Sequence, residues 1–131
     1  MKTILLIDDS RMMRTATERD LARGGYRVVT AADGEHGLQS ARQMSPDLIL
    51  LDMLLPKVTG LDVLRALKAD PATERIPVIV LTSLSKGNAD RLIGEGAAAF
   101  LEKSDQTLQG SSAKLIQLIG TVFTKEDATT A

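Results

Sequence analysis

Five short apolar runs alternate along the chain with segments whose apolar residues recur at helical spacing, and this pattern leaves few folds open. The runs have the length of strands and read as strands buried on both faces of a parallel sheet. The predicted strands are Ile4–Ile7, Tyr26–Thr30, Asp47–Leu51, Ile76–Leu81 and Ala97–Leu101. The alternation implies right-handed crossovers between parallel strands, with helices covering both faces of one sheet.

The intervening segments are predicted to be five helices. Ser10 is placed to cap the first helix, and Gly24 and Gly25 are placed to end it. The other helices are predicted from Asp33 to Met44, from Leu61 to Asp70, from Lys86 to Ile93 and from Thr107 to about Phe123. The polar residues 125–131 predict a frayed tail behind a domain that spans residues 1–124.

Length and composition suit a single globular domain, with 131 residues of which 44% are hydrophobic. The chain has no cysteine, which excludes disulfides and thiolate metal sites and fits a reducing cytosol, so we expect a cytoplasmic protein. No apolar run approaches the roughly 20 residues of a membrane-spanning helix. The formal net charge of -1 argues against a surface that binds nucleic acid directly.

Charged and hydroxyl residues follow four of the predicted strands at their carboxyl ends, where sheets of this kind bind ligands. Three aspartates that meet there would repel one another unless a cation lay among them. Oxygen ligands without histidine or cysteine suit Mg²⁺, and a lysine with a hydroxyl group opposite the metal would bind phosphoryl oxygens. The residues in these positions are Asp8, Asp9, Asp52, Thr82, Ser83 and Lys103.

This ordered series resembles the receiver domain of bacterial response regulators. The resemblance extends from Thr3 to about Phe123. It implies a five-stranded, flavodoxin-like, doubly wound α/β sheet of order 2-1-3-4-5 with five flanking helices. The motifs that carry it are Asp8-Asp9, Asp52 with Pro56 and Gly60 behind it, Thr82-Ser83, and Phe100 three residues before Lys103.

The resemblance implies the chemistry of the acidic residues. Asp52 would be the nucleophile that accepts a phosphoryl group from a phosphohistidine or a small phosphodonor. Asp9 would be the main carboxylate ligand of Mg²⁺, and Asp8 would act largely through water. Asp52 itself and the backbone carbonyl of Met53 would complete the protein's share of the metal site.

The resemblance also implies a switch. Lys103 and Thr82 would bind phosphoryl oxygens, and Phe100 would swing into the space that Thr82 leaves. Ser83 is small, as access to the aspartate requires. The sequence departs from the family where Ser104 stands in place of the proline that commonly follows the lysine. A cis peptide bond is disfavoured there without proline, so the geometry around Lys103 stays open.

Two leucines occupy positions that tune hydrolysis of the phosphoryl group in this family. Leu54 and Leu84 lie two residues beyond Asp52 and Thr82. Neither leucine offers a polar group to orient an attacking water, and both would partly shield the site. We therefore expect a phosphoryl group that hydrolyses slowly for the family.

A receiver would take its phosphoryl group from a sensor histidine kinase or a histidine phosphotransfer protein. It would catalyse its own phosphorylation and slow dephosphorylation, and no metabolic reaction. Its reporting face would combine the Lys86–Ile93 helix, the Ala97–Leu101 strand and the last helix. Because no output segment follows Phe123, we expect a stand-alone receiver that signals to another protein or relays its phosphoryl group onward, without direct contact to nucleic acid or membrane. Whether phosphorylation favours a dimer stays open.

Three other functions deserve comparison. A receiver that only binds partners would not need the acidic pair, Asp52, Thr82 and Lys103 together. An aspartate-based phosphatase would carry a second aspartate where this chain has Leu54. A flavin carrier would need a glycine- and hydroxyl-rich phosphate loop after the first strand, where the Asp8-Asp9 pair has the wrong charge.

Overall fold

One parallel sheet forms the centre of the computed structural model, which describes residues 1–53, 55, 59–82, 91–102 and 112–130. The strands are β1 (Thr3–Ile7), β2 (Arg27–Ala31), β3 (Leu48–Asp52), β4 (Val78–Thr82) and β5 (Ala99–Glu102). They lie in the order β2-β1-β3-β4-β5, and every neighbouring pair is parallel. The predicted doubly wound order 2-1-3-4-5 is confirmed.

Helices cover both faces of the sheet. They are α1 (Arg11–Arg23), α2 (Gly34–Met44), α3 (Gly60–Ala69), α4 (described residues 91–94) and α5 (Ser112–Thr130). Each parallel crossover requires such a connection, because a tight turn joins only antiparallel strands. Among the residues described, none of the helices combines the length and the apolar character needed to cross a bilayer.

Alternate residues of the central strands divide the core into two layers, as the pleat of a strand requires. One layer packs under α2, α3 and α4, and the other packs under α1 and α5. The first layer contains Leu5, Ile7, Ile49, Leu51, Val78 and Val80. The second contains Ile4, Leu6, Leu48, Leu50, Ile79 and Leu81. Burial on both faces explains why these strands are continuously apolar in sequence.

Short polar side chains begin the first three helices. The hydroxyl of Ser10 accepts a hydrogen bond from the Met13 N–H at 3.3 Å, and the Asp33 carboxylate accepts one from the His36 N–H at 2.8 Å. Such caps satisfy backbone donors that a helix leaves without an internal partner. Gly24 ends α1, and Gly25 continues at φ 93°, a backbone region that favours glycine. The predicted cap and stop of α1 are confirmed.

The last helix is longer than the sequence pattern predicts. We expected it to end near Phe123, whereas α5 continues to Thr130. Phe123 is the last buried residue of the apolar stripe, but helical hydrogen bonds propagate beyond it once the helix is established. Its predicted first residues, from Thr107, lie outside the described part of the chain. The division between a domain and a polar tail stays a prediction.

Candidate metal and phosphoacceptor site

Strand register brings the aspartates together. Ile7 of β1 pairs with Leu51 of β3, so the residues that follow, Asp8 and Asp52, are neighbours at the carboxyl edge of the sheet. Asp9 is the next residue along the chain. One carboxylate oxygen from each of the three aspartates lies within 4.8 Å of the others. The predicted meeting of Asp8, Asp9 and Asp52 is thus present in the structure.

The three carboxylates differ in exposure. Asp8 and Asp52 are each only 1% exposed, whereas Asp9 is exposed to solvent. Burial of two ionised carboxylates is costly unless cations or hydrogen bonds compensate their charge. The cluster therefore has one carboxylate that faces solvent and two that are enclosed by the protein.

Backbone hydrogen bonds hold Asp8 in position. Its N–H donates to the Ala31 carbonyl of β2 at 3.1 Å, and its carboxylate accepts from the Ser10 N–H at 2.9 Å. The Arg14 guanidinium donates to the Asp8 carbonyl at 2.9 Å. Residues at the start of α1 thus hold both the carboxylate and the backbone carbonyl of Asp8.

Met53 is held by β4 and by α3. Its N–H donates to the Leu81 carbonyl at 3.0 Å, and its carbonyl accepts from the Gly60 N–H at 3.2 Å. A carbonyl oxygen has two lone pairs, so this bond leaves one for a metal ion. A Cβ on Gly60 would lie 2.5 Å from the Met53 Cα and 2.7 Å from the Asp52 carbonyl oxygen. Only glycine allows α3 to begin this close to the end of β3.

The donor set fits a hard divalent cation. Three carboxylates and one carbonyl offer only oxygen, and neither sulfur nor imidazole stands among them. Mg²⁺ prefers such ligands and commonly binds one or two carboxylates together with water and a phosphate oxygen. The exposed side at Asp9 leaves room for those waters.

The structure describes only some of the other predicted site residues. Thr82 ends β4, and Leu81 before it pairs with Asp52, so the Thr82 backbone lies beside the acidic cluster. Phe100 lies in β5, is half-buried and packs against the core layer under α3. Ser83, Leu54, Leu84 and Lys103 lie outside the described residues.

Two contributors escaped the sequence analysis. Gly60 appears there only as part of the motif that follows Asp52, and Arg14 is not singled out. The glycine immediately before the apolar stripe of α3 was the available signal for a close backbone approach. No local signal identifies Arg14, because its contact with the Asp8 carbonyl depends on how α1 leaves the sheet.

Residues 4–110 match the response regulator receiver domain. The chain belongs to this family. Transcriptional regulatory protein AfsQ1 of Streptomyces coelicolor is 46% identical over 108 residues, which make up 81% of this chain and 46% of that protein. Polar-differentiation response regulator DivK of Brucella anthropi is 33% identical over 103 residues, covering 78% of this chain and 84% of DivK. The chain therefore spans less than half of AfsQ1 and most of DivK.

Solved receiver structures share the fold. Chemotaxis protein CheY4 of Vibrio cholerae superposes with a TM-score of 0.83 at 27% identity, covering 93% of this chain and 98% of CheY4. A response regulator receiver domain protein of Clostridium thermocellum gives a TM-score of 0.85 at 27% identity, with 98% and 99% of the two chains covered. The resemblance drawn from the strand-end residues is confirmed: this is a receiver domain of two-component response regulators.

Proposed function

We propose that this receiver accepts a phosphoryl group on Asp52 in a Mg²⁺-dependent reaction. The observation that carries the proposal is the position of Asp52, buried at the end of β3 with Asp8 and Asp9 beside it. A purely structural protein gains little from three carboxylates with oxygens within 4.8 Å of one another, because like charges at this distance repel. A phosphoacceptor site needs one nucleophilic carboxylate and others to hold a cation.

The proposed transfer forms one bond and breaks one. An Asp52 carboxylate oxygen attacks the phosphorus of a phosphohistidine, and the N–P bond breaks as the O–P bond forms. The leaving imidazole keeps the electron pair and takes a proton from solvent. The product is an acyl phosphate on Asp52, and the donor is a sensor histidine kinase or a histidine phosphotransfer protein.

In this proposal Asp8, Asp9, Asp52 and the Met53 carbonyl hold the Mg²⁺ ion. The ion would neutralise charge on the phosphoryl oxygens during transfer. The protein's own contribution is to fix the carboxylates before the donor arrives. The hydrogen bonds to Asp8 from Ser10 and Arg14, and the contact of Gly60 with Met53, supply that preorganisation.

The remaining residues of the motif complete the proposal. Lys103 and Thr82 bind phosphoryl oxygens, Ser83 leaves access, and Phe100 follows Thr82 inward. Leu54 and Leu84 keep attacking water away, so hydrolysis is slow. The α4–β5–α5 surface then signals to a partner protein in the cytoplasm, and phosphorylation is able to favour a dimer through this face.

Phosphoryl transfer from acetyl phosphate and from a phosphorylated histidine kinase tests this proposal. We expect intact-mass spectrometry to detect one added phosphoryl group on the wild type with Mg²⁺. Asp52→Asn should take up none, and chelation of Mg²⁺ should slow the wild type by at least about a hundredfold. Removal of the donor then gives the lifetime of the phosphoryl group. A lifetime of seconds would contradict the proposed slow hydrolysis.

Asp47→Asn is the matched control, because Asp47 lies just before the opposite end of β3 and its side chain accepts only the Thr3 N–H among the bonds described. This variant should be phosphorylated like the wild type. A wild type that takes up no phosphoryl group from either donor would favour a receiver that only binds partners. Equal labelling of Asp52→Asn would show that another residue is the acceptor.

A further inference from the structure

An ion pair joins α3 to the end of α4. Arg65 donates from Nε to Glu95 Oε2 and from Nη2 to Glu95 Oε1, each at 3.0 Å. This two-pronged geometry fixes the orientation of both side chains better than a single contact does. Glu95 directly follows the helical residues 91–94, so the pair, here called the clasp, ties α3 to the turn that leads into β5.

A second contact lies one turn further along α3. Lys68 donates from Nζ to the carbonyls of Glu74 and Ile76, at 3.1 and 2.8 Å, and this fixes its aliphatic stem. Gly96 stands against that stem with φ 109°, and a Cβ there would lie 2.9 Å from the Lys68 Cγ. The backbone between α4 and β5 therefore rests on α3 through Gly96 as well as through the clasp.

The opposite end of α3 begins at the phosphoacceptor edge. The Gly60 N–H bonds to the Met53 carbonyl, one residue after Asp52. Between its two ends, α3 packs into the core through Val63, Leu64 and Leu67, which are all fully buried. A helix of 10 residues spans about 15 Å, so one packed element touches both places.

We infer that α3 couples the phosphoacceptor site to the α4–β5 turn, and that the Arg65–Glu95 clasp is the joint through which it does so. The inference rests on the proposed phosphorylation of Asp52. A shift of the Met53–Gly60 contact moves the start of α3, and the clasp carries that movement to Glu95. Coupling of this kind is reciprocal, so a partner bound at the turn also changes the affinity of the site.

Exposure limits how strong this coupling is. The Arg65 and Glu95 side chains are 48% and 30% exposed, so water screens their attraction. Hydrogen bonds from Arg65 hold the pKa of Glu95 below its usual range, so the ion pair stabilises the ionised form of Glu95. A pair of this exposure changes an equilibrium by up to about fivefold.

Amide hydrogen exchange measures the coupling at the turn itself. The N–H groups of Glu95, Gly96 and Ala97 donate to carbonyls of residues 91–93, so their exchange rates report opening of this turn. Exchange is compared with and without Mg²⁺ and beryllofluoride, an analogue of the aspartyl phosphate. In the wild type we expect the analogue to change these rates by about fivefold.

Variants of the clasp separate coupling from ordinary stabilisation. In Arg65→Gln and in Glu95→Gln, binding of the analogue should change the exchange rates of these three amides by less than about twofold. This expectation holds whatever the exchange rates of each variant are without the analogue. The double variant Arg65→Glu/Glu95→Arg should restore much of the wild-type response. Arg42→Gln is the matched control. It removes the ion pair between Arg42 of α2 and Asp70, the C-cap residue of α3, and leaves the α4–β5 turn unchanged.

Fluorine NMR shows whether the analogue is bound to each protein. A bound analogue with a wild-type response in Arg65→Gln and Glu95→Gln would overturn the inference, and so would an unresponsive turn in the wild type. An analogue that fails to bind the wild type, together with no phosphoryl uptake, would instead refute the proposed function on which the inference rests.

Discussion

Gly60 illustrates at the scale of one residue how tightly the site is built. We expect Gly60→Ala to destabilise the fold by about 1–3 kcal/mol, because its Cβ would overlap backbone atoms of Asp52 and Met53, which cannot give way like a flexible side chain. The displaced start of α3 should also slow phosphorylation by acetyl phosphate. Urea unfolding and the intact-mass assay measure the two effects.

Gly120→Ala is the corresponding control within α5. A Cβ at Gly120 meets nothing within 4 Å, so alanine there should stabilise the protein by up to about 1 kcal/mol through its higher helix propensity. Opposite signs at the two glycines are expected. A neutral Gly60→Ala would mean that α3 can move away from Met53 at little cost.

The sequence predicted which residues gather, and it did not predict how they are held. Asp8, Asp9 and Asp52 were predictable because parallel strands end at one edge. The Arg65–Glu95 pair spans 30 positions in the chain. Its formation depends on how α3 lies against the end of α4, which no local pattern encodes. Polar contacts between helices are therefore the part of the fold that sequence patterns do not predict.

At the scale of elements, Asp70 ties the end of α3 to α2. Its carboxylate accepts from the Ala72 N–H at 2.9 Å and from Arg42 Nε at 2.6 Å. The hydrogen bond from Ala72, followed by that from Arg42, lowers the pKa of Asp70 from its ordinary value. The ionised form is thus favoured by folding. Its contribution is complete above the ordinary carboxyl pKa of about 4 and is lost as pH falls through the lower folded value.

We therefore expect the stability difference between the wild type and Asp70→Asn to shrink on acidification. Urea unfolding at about pH 6 and about pH 3 measures this difference and cancels the titration of other carboxylates. In an Arg42→Gln background the pH dependence of the difference should be smaller, because one cause of the pKa shift is gone. A difference that stays constant with pH would contradict the assignment.

Element boundaries were predicted less well than element types. The predicted fourth strand starts at Ile76, and β4 starts at Val78; the predicted fifth strand starts at Ala97, and β5 starts at Ala99. Apolar character marks burial, whereas a strand begins where its ladder to a neighbour begins. Ile76 and Ala97 contribute to the core without pairing, so a pattern of burial includes them.

At the scale of the whole molecule, the alternating pattern determined the architecture because each parallel pair needs a crossover. Five such units in 131 residues leave few arrangements that bury every strand. The order of the strands came from the resemblance to receivers, since hydrophobic periodicity alone does not distinguish the possible orders. The solved receiver structures and the sheet itself agree with that order.

If the acidic cluster binds Mg²⁺ as proposed, we expect the stability of the whole fold to depend on that ion. Two of its carboxylates are buried and all three lie close together, so their mutual repulsion opposes folding and a bound divalent cation would reduce it. A ligand that binds only the folded state adds about 2.7 kcal/mol at a concentration 100 times its Kd. For a domain of this size that corresponds to a rise in Tm of roughly 10 °C.

Asp9→Asn should weaken both the repulsion among the carboxylates and the stabilisation by Mg²⁺. The variant removes one negative charge, so without Mg²⁺ we expect its Tm to equal or exceed that of the wild type. With Mg²⁺ it should rise much less, because a ligand is missing. Calorimetry with NaCl at matched ionic strength separates specific binding from screening. Equal rises in the two proteins would show that Asp9 is not a ligand of the ion.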